Sequence, residues 1–131
     1  NLNALRDWGH AKDFVEAQWL MLQQETPEDF VIATGKQYSV RDFINIASKN
    51  LEMKIDWKGE GLDETGSFNG QIIIKVDPRY FRPTEVESLL GDASKAKTKL
   101  NWAPKITFEK LVKEMTEEDF KLAKNDKIIN Y

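Results

Sequence analysis

Phe30-Val31-Ile32-Ala33-Thr34 decides the fold class: four apolar residues and a threonine, closed by Gly35. A strand that is apolar on both faces belongs in a sheet covered on both sides, most often a parallel one. Upstream, Ala11, Phe14, Val15, Trp19 and Leu22 recur at three- and four-residue steps, which predicts a helix over 11–24. Leu20 and Met21 widen its apolar face. Thr26-Pro27-Glu28-Asp29 ends it. Downstream, Ser39 with Asp42 three residues later forms a weak capping box. Val40, Phe43, Ile44, Ala47 and Leu51 then give a helical stripe. Residues 11–51 therefore read helix, strand, helix, and the chain reads as α/β.

Before this unit, Leu5-Arg6-Asp7-Trp8-Gly9-His10 is a connector. Gly9 suits a tight turn, and Asp7 is placed to cap the first helix. His10 reads as a capping or satisfied core histidine rather than a catalyst, and Trp8 as core. Asp13 and Glu16 read as a solvated helix face. After the unit, Met53, Ile55 and Trp57 alternate with polar residues, as in a half-exposed strand. Residues 59–70 read as a mobile polar loop and 71–76 as a strand. Asp92 can cap a short helix over 93–100 that Asn101-Trp102-Ala103-Pro104 closes, with Lys95, Lys97 and Lys99 on a solvated face. Thr107 caps the last helix, striped by Phe108, Leu111, Val112, Met115 and Phe120. Residues 125–131 read as a frayed tail.

The chain has 131 residues, one domain's worth, and 31% of them are charged. The net charge of −3 is spread along the chain without a basic patch, which argues against duplex nucleic acid as a partner. No apolar run approaches the roughly 20 residues of a membrane span. With no cysteine and only His10, neither a thiolate nor a multi-imidazole metal site can be assembled. The opening residues, from Asn1, enter mid-domain, so the chain reads as a piece of a longer protein.

Chemistry concentrates in Asp77-Pro78-Arg79-Tyr80-Phe81-Arg82-Pro83-Thr84-Glu85. A guanidinium is a planar fork of donors that fits a phosphate, and a carboxylate can hold two adjacent hydroxyls. Pro83 stiffens the backbone between Arg82 and Glu85. On these residues alone two readings stay open: a hook for a ribose and its phosphate, or an ordinary surface ion pair worth little. Arg6 is a further phosphate ligand, or the partner of Asp7 or Glu28. The carboxylates from Glu114 to Asp119 lie too far along the last helix to serve as acid–base groups. There is no G-x-G-x-x-G, no G-x-x-x-x-G-K-[ST] and no Tyr-x-x-x-Lys, so no redox or phosphoryl-transfer enzyme can be assembled by motif.

Two segments carry a resemblance. Leu5-Arg6-Asp7-Trp8-Gly9-His10-Ala11-Lys12-Asp13 resembles the R-D-W-x-H-x-x-D signature of extended short-chain dehydrogenase/reductases that act on nucleotide sugars. Leu90-Gly91-Asp92-Ala93-Ser94-Lys95-Ala96 with Leu100-Asn101-Trp102-Ala103-Pro104 resembles their C-terminal signature. Asp29-Phe30-Val31-Ile32-Ala33-Thr34-Gly35 and Tyr80-Phe81-Arg82-Pro83-Thr84-Glu85-Val86 are similar to the GDP-mannose 4,6-dehydratase family in particular.

The resemblance implies the C-terminal mixed α/β part of an extended short-chain dehydrogenase, a Rossmann-type NAD(P)-binding fold whose Rossmann half these residues do not include. It implies that 1–131 is the sugar-nucleotide-binding portion. Within it, 1–35 would pack on the Rossmann domain and 36–131 would form the substrate domain. The family reaction is a lyase cycle. Hydride passes from C4 of the mannose to NADP+, water leaves across C5 and C6, and hydride returns to C6. The product is GDP-4-keto-6-deoxymannose, the first step toward GDP-fucose. Carried over residue by residue, Arg6, Arg82 and Glu85 become ligands of the GDP moiety. No catalytic residue and no metal ligand is carried over. NADP would be bound mainly by the N-terminal domain, GDP-mannose would be the substrate, and the complete protein would be a cytoplasmic dimer or tetramer. The 131 residues alone would be inactive. Alternatives are another nucleotide-sugar epimerase or reductase of the superfamily, or a non-catalytic binding module.

Overall fold

The computed structural model describes residues 1–80, 82, 84 and 86–129, with side chains described as far as Asn125. Among the described residues there are two small antiparallel sheets and four α-helices. Strand β1 (Leu5–Asp7) pairs with β2 (Gln37–Ser39), Leu5 opposite Ser39. Strands β3 (Asp56–Lys58), β4 (Thr65–Phe68) and β5 (Gln71–Lys75) form a meander in the order β3-β4-β5. The helices are α1 (Ala11–Leu22), α2 (Val40–Asn50), α3 (Ser94–Lys99) and α4 (Phe108–Ile129). No helix among the described residues is long and apolar enough to cross a membrane.

Residues 30–34 are not a strand, contrary to the reading of their pattern, and neither sheet is parallel. A strand requires a ladder partner, and among the described residues none lies beside this segment. Its apolar side chains are used nonetheless, and Ala33 is buried. Phe30 and Ile32 pack on the core cluster of Ala17, Ala96, Leu100 and Trp102, while Val31 faces outward with 53% of its surface exposed. The approach to the segment is pinned by α3: Lys95 Nζ donates to the Asp29 carbonyl (2.8 Å) and Lys99 Nζ to the Glu28 carboxylate. These lysines are ion-paired, not merely solvated. Gly91 lies flat against Ala33, where a side chain would meet the alanine methyl.

Trp102 is the centre of the core, 2% exposed. Ala17 and Ala96 let α1 and α3 approach beside it, and Phe14 meets its ring edge-on at 6.4 Å. Asn101, at φ 52°, turns the chain so that the indole points inward. Its Nε1 donates to the carbonyl of Asp13 (2.9 Å). The Asp13 carboxylate accepts from the backbone N–H groups of Lys105 (3.0 Å) and Ile106 (2.9 Å). Asp13 is thus 3% exposed, not part of a solvated face. A buried carboxylate survives only with such partners. The cap of α1 is His10, whose Nδ1 accepts from Lys12 N–H, and not Asp7. Gly9 has no unusual backbone angle; it leaves room for the Phe14 ring.

The capping box on α2 forms as read: Ser39 Oγ accepts from Asp42 N–H, and Asp42 accepts from Ser39 N–H. Phe108 and Val112 of α4 are buried, and α4 packs along α2. Thr107 accepts from Leu111 and Lys110 at its start. The helix runs to Ile129, through the residues read as a frayed tail. Good helix formers and an i,i+3 pair between Glu118 and Lys121 support its second half.

Residues 59–70 are not a loop either: they hold a single 3₁₀ turn and all of β4, the central strand of the meander. Asn69 and Gly70, both at positive φ, make the two-residue turn to β5. Gly66 keeps the strand close to its neighbours, because a β-carbon there would lie 2.9 Å from Ile55 Cγ2 and 3.1 Å from Ile74 Cδ1. Gly66→Val should therefore destabilise the chain by about 1–3 kcal/mol through overpacking. Chemical denaturation checks this; an unchanged midpoint contradicts it.

Candidate functional site

Arg6 is the middle residue of β1, and its neighbours fix it from both sides. The Asp7 carboxylate accepts from Thr34 N–H (2.9 Å), Thr34 Oγ1 (2.6 Å) and Gly35 N–H (2.9 Å). Trp8 Nε1 donates to the Tyr38 carbonyl, and its ring packs against Phe43 and Phe108. Glu28 is occupied by Lys95 and Lys99. Neither acid proposed as a partner for Arg6 is therefore available to it. Instead Arg6 Nη1 donates to the carbonyls of Leu5 (2.8 Å) and Val86 (2.7 Å).

The Val86 contact belongs to a seam that brings the two sequence motifs together. Leu5 N–H donates to the Glu87 carbonyl (2.8 Å), Leu89 N–H donates to the Leu5 carbonyl (3.2 Å), and Ser88 bridges Leu5 in a parallel sense. The chain leaving the Arg82 segment is thereby laid alongside β1. On the other side of that segment, Pro78–Tyr80 forms a 3₁₀ turn. The Asp77 carboxylate accepts from Arg79 N–H (2.9 Å) and from its guanidinium (2.6 Å at Nη2). The Arg79 guanidinium holds the Asp77 carboxyl below the usual carboxylate range, and Asp77 raises Arg79 in turn.

Between β1 and this turn lies a cavity of about 390 Å3. Arg6, Leu2 and Val40 line one wall; Lys75, Asp77 and Tyr80 line the other. Asp77 is paired with Arg79, and Arg6 and Lys75 place a cation on each wall of the opening. Tyr80, 77% exposed, presents an aromatic face at its edge. Such a space suits a diphosphate with an attached ring. Arg82 is exposed, two residues beyond Tyr80. Glu85 lies outside the described residues. The sequence reading passed over Lys75; its signal was its place as the last residue of a strand that runs straight into the turn.

Among the described residues no acid–base constellation stands nearby. His10 Nε2 lies 3.3 Å from Glu114 Oε2, and Glu114 also pairs with Lys12, so this group ties α1 to α4. Among the described residues no group of three or more His, Cys, Asp or Glu could hold a metal ion.

The family profile described as GDP-mannose 4,6 dehydratase matches residues 1–115. The chain belongs to the GDP-mannose 4,6-dehydratase family. Over 127 residues it is 57% identical to GDP-mannose 4,6 dehydratase 2 of Caenorhabditis elegans, covering 96% of this chain and 33% of that protein. It is 51% identical to the GDP-mannose 4,6-dehydratase of Vibrio cholerae over 141 residues, covering 98% and 38%. The human relative is 50% identical over 128 residues, covering 96% and 34%. The chain thus spans about a third of the length of these family members. Among solved structures, the UDP-glucose 4-epimerase of Thermotoga maritima superposes with a TM-score of 0.69 at 23% identity, covering 94% of this chain and 34% of that one. RMD from Pseudomonas aeruginosa, solved with NADPH, superposes at 0.67 and 14% identity, covering 89% and 33%. At such identities the likeness concerns the fold. It is the mixed α/β fold of extended short-chain dehydrogenases, of which the chain matches about a third.

Proposed function

We propose that these residues hold the GDP end of GDP-mannose in a complete protein that converts it to GDP-4-keto-6-deoxymannose. The observation that carries this reading is the cavity at which Arg6 of β1 meets the Asp77–Tyr80 turn. Arg6 and Arg82 bind the diphosphate, and Glu85 the ribose hydroxyls. Their work is positioning. Binding energy gathered at the nucleotide, remote from the reacting carbons, fixes the hexose for elimination of water.

The chemistry requires NADP, and the described residues do not fit it. Among the described residues, the strand that feeds straight into a helix, β2 into α2, carries Ser39 as a cap paired with Asp42 where a dinucleotide cradle needs a glycine turn. NADP therefore belongs to the rest of the protein, and no hydride step is assigned to this chain. In this reading 1–35 pack on the Rossmann domain and 36–131 form the substrate domain. The exposed apolar side chain of Val31 in the segment 30–34 supports this reading. The complete protein is then a cytoplasmic homo-oligomeric lyase, and the 131 residues alone are inactive.

In the complete protein, Arg82→Ala should raise the KM for GDP-mannose roughly 10- to 100-fold, the loss of one charge-assisted phosphate bond, with NADP binding intact. An unchanged KM contradicts the assignment. Formation of a 4-keto product from GDP-mannose without added reductant separates a dehydratase from an epimerase or reductase.

A further inference from the structure

We propose that Arg41 is a positioning residue for the nucleotide cavity, setting the separation of its two walls. The inference rests on the reading of that cavity as the GDP site.

Arg41 is the second residue of α2 and contacts both the residues before β1 and the residue that leads into β4. Its backbone N–H donates to the Leu2 carbonyl (2.9 Å), and its Nε donates to Asn3 Oδ1 (3.0 Å). Leu2 lines the first wall, and Asn3 lies three residues before Arg6. Its Nη2 pairs with Glu64 Oε1 at 2.7 Å, and Glu64 is only 9% exposed. Glu64 immediately precedes Thr65, whose partner across the ladder is Lys75 of the second wall. The guanidinium also lies 4.7 Å from the Trp57 ring centre, and Trp57 Nε1 is anchored to Asn45 Oδ1 of α2. One planar fork therefore joins the strap before β1 to the head of β4. From one end two residues, Ala4 and Leu5, lead to Arg6; from the other, Thr65 and its ladder partner lead to Lys75.

This connection needs the geometry of arginine. Nε and Nη2 point to different acceptors at fixed angles, which a lysine ammonium cannot reproduce. The pair is largely buried, so Glu64 without its cation, or Arg41 without its anion, cannot simply turn to solvent. The neighbouring residue, Val40, lines the cavity itself, so a shift of the α2 start moves the wall directly.

The test is calorimetric titration of the complete protein with GDP, comparing Arg41→Lys, Glu64→Gln and Arg82→Ala with the wild type. Arg41→Lys and Glu64→Gln should each raise the GDP Kd on the order of 3- to 10-fold, with about one site per chain retained. The double variant should cost less than the product of the two, since both cut one connection. A merely structural role would lower the number of competent sites and the unfolding midpoint and leave the Kd of the remainder unchanged. That result overturns the proposal. If Arg82→Ala weakens GDP and neither Arg41→Lys nor Glu64→Gln does, Arg41 has no positioning role while the GDP reading stands. If Arg82→Ala and both others leave the Kd unchanged, the reading fails and the proposal with it.

Discussion

Trp102→Ala is expected to destabilise the chain by about 3–5 kcal/mol, the largest stability effect of any single truncation here. The indole is the side chain on which α1, α3 and residues 30–34 converge, and at 2% exposure it has no solvent to relax into. Removing it opens a cavity and strips the Asp13 carbonyl of its donor. The neighbouring turn is held by the Asp13 carboxylate through Lys105 and Ile106, so the entry to α4 loosens with it. Trp102→Phe isolates the polar component: it keeps most of the packing and loses the N–H, at about 1–2 kcal/mol. Guanidinium denaturation followed by far-UV circular dichroism separates the two. A Trp102→Ala loss below about 1 kcal/mol would mean the core is centred elsewhere.

The second large effect is on binding. In the complete protein, Arg6→Ala should weaken GDP roughly 10- to 100-fold, and Arg6→Lys should restore only part of the loss. Arg6 has two tasks. It faces the cavity, and its Nη1 holds the Val86 carbonyl, which keeps the chain that follows Arg82 against β1. The effects of Arg6→Ala and Arg82→Ala should therefore combine to less than their product, because the first already displaces the second. Titration with GDP measures both singles and the double. Full additivity would mean that the two arginines act at independent places.

What the sequence disclosed and what it hid follow from the range of the interactions. The capping box at Ser39 and Asp42, the His10 cap and the Thr107 cap are local, and each was legible within a few residues. The Asn69-Gly70 turn was equally local, but the polar residues around it obscured β4, whose central position comes from pairing with both neighbours. Asp13 could not be read, because its partners lie 92 and 93 residues away. Residues 30–34 showed the apolar run that packs on the core, yet a ladder partner is not a property of the segment itself. The approach of Arg6 to the Arg82 segment spans 80 residues at the Val86 contact, and no periodicity announces it. Only the resemblance to a family placed both on one ligand, and the seam between Leu5 and residues 87–89 supplies a physical means of bringing them near.

A crystal structure of the complete protein with GDP-mannose bound would test the central claim most directly. The account predicts diphosphate oxygens within roughly 2.7–2.9 Å of guanidinium nitrogens from both Arg6 and Arg82, between β1 and the Asp77–Tyr80 turn. A nucleotide seated elsewhere, with Arg82 turned away from the cavity that Arg6 lines, would contradict it.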